Sequence, residues 1–318
     1  MKILLLFLIG ISLYANNIIT EYRLHGTQGI EKKLDFELTK QNYWYNYIKN
    51  RDTTFGYTEK YSNILVCNKE KSTLSVYKED DKQKYSLRKV YSAFTGKLKG
   101  DKEKEGDFKT PNGVYNLVKK LNHVDSFYGP LAFVTSYPNL YDKYEGRDGH
   151  GIWIHGVPVG KKRDAFTKGC IAIKNKSIEC LSKNIDINKT VLIINPNKTI
   201  FNVSKKTISS ILAQLYMWRY AWIYNDLETY LSFYAPEFKR FDGKDYENFK
   251  RYKTRIFNKR EYKTIIFTNL SVIPYSNKIN TYEITFNEKY HSNSFLFKGK
   301  KTLIIEMKNN KMKILTEQ

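Results

Sequence analysis

The spacing of apolar residues changes period twice along this chain, and that change limits the folds open to it more than any single motif does. From Ile30 to Asn50, Leu34, Phe36, Leu38, Tyr43, Trp44, Tyr47 and Ile48 recur at three- and four-residue intervals, which predicts helix. A break at Asp52 to Tyr57 contains Gly56, and from Asn63 the interval falls to two. Ile64-Leu65-Val66-Cys67, a turn at Asn68-Lys69-Glu70-Lys71 and Leu74-Ser75-Val76-Tyr77 then predict a β-hairpin. Strand-like segments follow at 90–94, 113–115, 132–134, 152–154 and 191–194, with one short helix near Ser177 to Lys183. After Pro196 the helical interval returns over Ile208 to Tyr224, carrying Leu212, Leu215, Trp218 and Trp222. Asp226 caps a second helix through Leu227, Tyr230, Leu231 and Tyr234. Alternation resumes at 264–267, 282–286, 302–306 and 311–314, as in an antiparallel sheet. Helices followed by a sheet make a separate α+β unit after a mostly-β one.

A length of 318 residues fits about two domains. With 41% hydrophobic and 15% aromatic residues the chain has material for real cores, which argues against wholesale disorder. Three cysteines exclude a disulfide-dense scaffold. Met1 and Lys2 precede an apolar run from Ile3 to Tyr14, and Ala15 stands before Asn16 and Asn17. This pattern predicts an export leader over 1–15 and a mature, periplasmic chain from about Asn16. The run is short for a bilayer span, and no later stretch approaches one. Export alters the meaning of the +22 formal charge, because nucleic acid, the usual acidic partner, is scarce outside the cytoplasm. Anionic envelope polymers or lipid head groups remain as partners. A bias toward Lys, Ile, Asn and Tyr explains the charge equally well, since no Lys/Arg block marks a binding arm.

The stretch that carries chemistry is Ile152-Trp153-Ile154-His155-Gly156, with fourteen residues between His155 and Cys170, the latter within Thr167-Lys168-Gly169-Cys170-Ile171-Ala172-Ile173. Cysteine attacks as thiolate, and a nearby histidine supplies the base that makes one. Gly169 permits a tight turn before Cys170, so that backbone N–H groups around the nucleophile would face an oxyanion. Lys168 would favour the thiolate further. Spacing alone leaves a second reading open, in which Cys170 is a structural thiol and His155 a satisfied core histidine.

His-Gly, a loop, then Thr-x-Gly-Cys and an apolar residue resembles the signature of the L,D-transpeptidase catalytic domain, the YkuD-like family, whose members cleave or exchange D-amino acids on peptidoglycan stems. Gly100-Asp101-Lys102, Gly106-Asp107 and Lys109-Thr110-Pro111-Asn112-Gly113-Val114-Tyr115 resemble the family's Thr-Pro-x-Gly segment, and the opening hairpin agrees. The resemblance spans roughly Tyr61 to Pro196. It implies Cys170 as nucleophile, His155 as its base and the Gly156 carbonyl as the group that orients the imidazole, with no cofactor and no metal. The substrate implied is a peptidoglycan stem peptide, attacked at the carbonyl that joins the third residue to the terminal D-Ala. Water would then make the protein an L,D-carboxypeptidase, and an amine from another stem an L,D-transpeptidase. Most members have His where Lys168 stands and Arg or Asn where Ala172 stands, which puts typical acceptor handling in doubt. The Thr-Lys-Gly-Cys-Ile-Ala form, with a Trp-containing N-terminal helix and a C-terminal α+β domain, more closely resembles a branch from helical and curved Gram-negative bacteria. Members of that branch trim tetrapeptides to tripeptides and set cell shape, so carboxypeptidase is the preferred expectation.

The expected fold is therefore α+β: a leader (1–15), an N-terminal helical segment (16–60), a mostly-β catalytic domain (61–198) and a C-terminal domain (205–318). The aromatic spacing of Trp218, Trp222, Asp226, Tyr230, Tyr234 and Phe238 resembles NTF2-like domains, where these residues line a pocket or fill the core. Substrate-binding candidates are Gly169, Lys168, Trp153, Arg163 (with Lys161 and Lys162) and Thr110, although Thr110, Pro111 and Gly113 equally shape the lead-in to a strand. His150 reads as a surface histidine. Cys67 and Cys180 are either lone thiols or a disulfide, and no His or Cys pair has metal-ligand spacing. The N-terminal segment packs within the chain or forms a homodimer.

Overall fold

In a computed structural model the described residues are 2–158, 164–198, 200–275 and 277–318, with side chains described from residue 18 on. Helix α1 (Lys2–Glu37), which includes the expected leader, breaks at Gly26, where φ is 66° and ψ is −164°. Helix α2 (Gln41–Tyr47) follows, so the single helix expected over 30–50 is two. The reason is local: Thr39 Oγ1 donates to the Phe36 carbonyl and Trp44 Nε1 to the Leu38 carbonyl (2.7 and 2.6 Å), ending one helix and swinging Trp44 inward. Among the described residues no helix is long and apolar enough to cross a membrane.

After the two-residue strand β1 (Tyr57–Thr58) come β2 (Asn63–Asn68), β3 (Thr73–Glu79), β4 (Tyr85–Phe94), β5 (Gly113–Leu121) and β6 (Ala132–Thr135). Helix α3 (Leu140–Tyr144), β7 (Trp153–His155), β8 (Ile171–Ile173), α4 (Asn175–Asn184) and β9 (Thr190–Asn195) complete the middle third. Strands β2 to β9 close into a barrel in the order β2-β3-β4-β8-β7-β6-β5-β9. The predicted hairpin is present as β2 and β3, with Ile64 opposite Tyr77 and Cys67 opposite Leu74. The continuous apolar runs of β2 and β9 are buried on both faces. Leu65, Cys67, Leu192 and Ile194 fill the barrel, while Ile64, Val66, Val191 and Ile193 face outward into a second core shared with Ala235, Ile273, Tyr275 and Ile304 of the C-terminal domain.

That domain consists of α5 (Lys205–Ile223), α6 (Leu227–Ser232), α7 (Tyr246–Phe257), β10 (Lys263–Pro274), β11 (Thr281–Ser292), β12 (Leu296–Lys308) and β13 (Lys311–Glu317). Ser204 and Asp226 cap α5 and α6 through their side chains. Helix α7 has no counterpart in the sequence reading; its apolar residues are few and separated by Lys and Arg. The sheet runs β1-β10-β11-β12-β13, so Tyr57 and Thr58, which precede the barrel, pair with Val272 and Ser271. Trp44, Ile48 and Tyr57 share one core with α5 and β10. Trp44 lies 4.9 Å from the Tyr216 ring, and Asp35 pairs with Arg219 at 2.8 Å. The N-terminal segment thus packs within the chain, leaving Leu34, Phe36, Tyr43, Tyr45 and Tyr47 exposed.

Candidate active site

Strands β7 and β8 run parallel, with Ile154 opposite Ile171 and His155 opposite Ala172. Extending that register by one residue sets Cys170 beside Trp153, and the Trp153 N–H indeed points at Cys170 Sγ from 3.4 Å. Paired residues of adjacent strands share a face and alternate residues return to it. Trp153, His155, Cys170 and Ala172 therefore stand on one side of the β7–β8 pair, with His155 and Cys170 diagonal to each other. The apolar run Ile171-Ala172-Ile173, fully buried, locks this register.

His155 is buried, and its Nδ1 lies 2.7 Å from the Gly156 carbonyl oxygen. A carbonyl can only accept, so Nδ1 carries the proton and the lone pair of the neutral ring is at Nε2. The Tyr128 ring stands edge-on to the imidazole at 5.0 Å and tilted against Trp153 at 5.1 Å, forming a wall of the site. Cys170 Sγ donates to the Gly151 carbonyl at 3.3 Å, and the Trp153 N–H that it accepts would hold charge on the sulfur once the proton leaves.

The turn before Cys170 is built by Thr167. Its hydroxyl donates to the Cys170 carbonyl (2.7 Å) and accepts from the Gly169 N–H (3.0 Å). Gly169 has φ of +141°, and a Cβ there would stand 3.0 Å from the Lys109 carbonyl oxygen. Glycine is required for conformation, and its amide, expected among the donors facing an oxyanion, is committed to Thr167. Thr110 is fully buried and its hydroxyl accepts from the Gly96 N–H at 2.8 Å. It props the loop that bridges to Thr167, as a strand lead-in would, and offers no surface to a ligand.

Residues 62–194 match the L,D-transpeptidase catalytic domain (YkuD), and residues 210–318 match the Cds6 C-terminal NTF2-like domain. The helical cell shape determining protein Pgp2 from Campylobacter jejuni is 39% identical, with 89% of this chain and 99% of that one covered at a TM-score of 0.83 for a point-mutant crystal structure. The chain belongs to the L,D-transpeptidase family. Bd1075 from Bdellovibrio bacteriovorus is 27% identical with a TM-score of 0.67, covering 83% of this chain and 95% of that one. The putative L,D-transpeptidase YafK from Escherichia coli K12 is 34% identical over 113 residues, 35% of this chain; the match spans 42% of that relative's length.

Within this transpeptidase-family site the remaining candidates separate clearly. Lys168 is exposed beside Cys170, and Trp153 is half-buried on the His155 face. Arg163, Lys161 and Lys162 lie outside the described residues. His150 is 77% exposed and pairs with Glu105 at 3.5 Å, on the surface as expected. Cys67 and Cys180 are both free thiols, and burial pushes Cys67 up to about 12. Tyr128, Gly129 and Asn175 were not singled out from sequence; Asn175 lies two residues past the Cys170 motif, whereas Tyr128 and Gly129 are far from both motif segments along the chain.

The C-terminal domain holds a cavity of about 730 Å³, lined by Trp222, Tyr252, Lys253, Glu288, Lys301 and Glu317 among others. Trp218, Tyr230, Tyr234 and Phe238 are core, and Trp222 reaches the cavity. Lys253 Nζ lies 4.3 Å from the Trp222 ring centroid, and burial lowers it to about 8 against the pull of Glu317. Burial pushes Glu317 up, but Lys301 at 3.2 Å, Lys253 and the Tyr234 hydroxyl outweigh it and hold the carboxyl below its ordinary value.

Proposed function

We propose that this protein is a periplasmic peptidoglycan L,D-carboxypeptidase, exported by its first fifteen residues, that removes the terminal D-Ala from tetrapeptide stems and so contributes to cell shape. The observation that carries the reading is His155 Nδ1 at 2.7 Å from the Gly156 carbonyl oxygen, an acceptor that calls for the proton on Nδ1, with Cys170 diagonal to it on the same strand face. That tautomer leaves Nε2 to take the thiol proton. The thiolate attacks the carbonyl of the third residue, the tetrahedral oxyanion collapses, and the protonated imidazole gives its proton to the departing D-Ala nitrogen. The thioester then takes water, activated by the same imidazole, releasing a tripeptide carboxylate and the free thiol. Ala172 supports hydrolysis over crosslinking: the position beside His155 carries neither the guanidinium nor the amide common in the family.

The test is incubation of the mature protein and its Cys170→Ala form with disaccharide tetrapeptide and with crosslinked dimer, followed by mass analysis. Loss of one D-Ala, abolished in the variant, is expected. New links between third residues would instead make it an L,D-transpeptidase. No product dependent on Cys170 would leave the second reading, a non-catalytic envelope-binding protein that uses its basic charge and its C-terminal cavity.

A further inference from the structure

The orientation of His155 depends on one peptide unit, and that unit is held from its other side. The Gly156 carbonyl faces His155 Nδ1, while the N–H of the same unit, belonging to Val157, donates to Asn175 Oδ1 at 2.7 Å. A trans peptide is rigid and planar, with its C=O and N–H pointing in opposite directions. Fixing the N–H therefore fixes the carbonyl.

The fit around Asn175 is close. A Cβ on Gly156 would collide with the Asn175 amide oxygen and lie 2.9 Å from Pro130 Cδ. A Cβ on Gly129 would stand 2.5 Å from that oxygen and 2.9 Å from Gly156 Cα. Two glycines thus open the slot the amide oxygen occupies. Asn175 opens α4 but is not its cap, a position held by Lys174 without a side-chain bond. It also follows Cys170 by way of β8, so one short rigid segment carries both the nucleophile and the clamp on the base's orienting group.

We propose that Asn175 is a positioning residue for the Cys170–His155 pair, its amide oxygen clamping the 156–157 peptide so that the Gly156 carbonyl holds His155 in the tautomer that accepts the thiol proton. This rests on His155 serving as the base of Cys170. Released from Asn175, the peptide turns, Nδ1 loses its acceptor, and the ring divides between tautomers, one of which cannot take the proton.

The experiment is the pH dependence of Cys170 alkylation by iodoacetamide on the full chain, read by peptide mass so that Cys180 is scored separately. Stem-peptide turnover is measured in parallel. The wild-type midpoint is expected well below the ordinary thiol value of about 8.5. Asn175→Ala should move it up toward that value and lower kcat by about 10–100-fold with KM unchanged. Asn175→Asp, which keeps the acceptor oxygen, should restore both. If the alanine form does not fold, Asn175→Gln takes its place, since its oxygen is one methylene too far for the slot. A folded Asn175→Ala with the wild-type profile overturns the proposal, as does Asn175→Asp behaving like the alanine form. A wild-type Cys170 that titrates as an ordinary thiol overturns both this proposal and the pair on which it rests. A low wild-type midpoint unmoved by Asn175→Ala overturns the clamp alone.

Discussion

The barrel's site and the C-terminal cavity are built from opposite materials. Around Cys170 the groups that touch the Cys170–His155 pair are largely backbone: the Gly156 carbonyl, the Trp153 N–H, the Gly151 carbonyl and the close approach of Gly129 to Gly156. In the C-terminal domain the parts are side chains: a buried lysine over an indole ring, two buried glutamates and a layer of aromatic rings. A site of backbone groups is insensitive to loss of distant side chains and intolerant of one added carbon. A cavity of side chains behaves in the reverse way.

The largest effect should come from Trp218→Ala. Trp218 is fully buried, stacked at 5.6 Å on Tyr230, and donates to the Tyr234 hydroxyl at 3.2 Å. Truncation should cost about 3–5 kcal/mol in denaturant unfolding. The Cys170 alkylation profile of the folded protein should not move; a shift would mean the two regions are not independent.

Lys253 comes next. Its folded value of about 8 lies below the ordinary 10.5, so the unfolded chain binds the proton more tightly between those values, and stability from this group rises with pH across that window. Lys253→Met should be the more stable form at pH 7, with its advantage shrinking by roughly 2 kcal/mol by pH 10. Thermal melts of both forms across that range test it, and a constant gap would show that Lys253 is not held in a water-poor cavity.

Gly156→Ala should cost less stability than Trp218→Ala, about 1–3 kcal/mol, the range for overpacking. In chemistry it should be the most damaging, raising the Cys170 alkylation midpoint toward that of an ordinary thiol. A folded alanine form with native reactivity would remove the backbone account of the site.

The same division explains what was legible in the sequence. Backbone sites need glycines at fixed positions beside a nucleophile and a base; Gly169, His155 and Cys170 stand out in two short segments, while the role of Gly156 was legible only through the family resemblance of those segments. The hairpin of β2 and β3 and the alternating C-terminal strands were equally visible, because period-two runs are local. Asn175 escaped because its role depends on a contact with Val157 made only when β7 and β8 align. Thr110 resembled a cleft residue because burial has no local signature. Helix α7, half of it Lys, Arg and Tyr, has too narrow an apolar stripe to announce itself, although Phe249 and Phe257 reach the core. The cavity's members are scattered from Trp222 to Glu317 and meet only in three dimensions.

The pairing of β1 with β10 makes the barrel an insertion within another folding unit. Strands β2 to β9 are contiguous, so the barrel can close as soon as residue 195 has emerged. Trp44, Ile48 and Tyr57 cannot be covered until α5 and β10 exist, and the Gln41 side chain waits for a carbonyl 165 residues downstream. The chain therefore completes its middle before its beginning, and through that interval an apolar N-terminal segment stands open beside a finished enzyme-like barrel. That surface closes once α5 and β10 are in place.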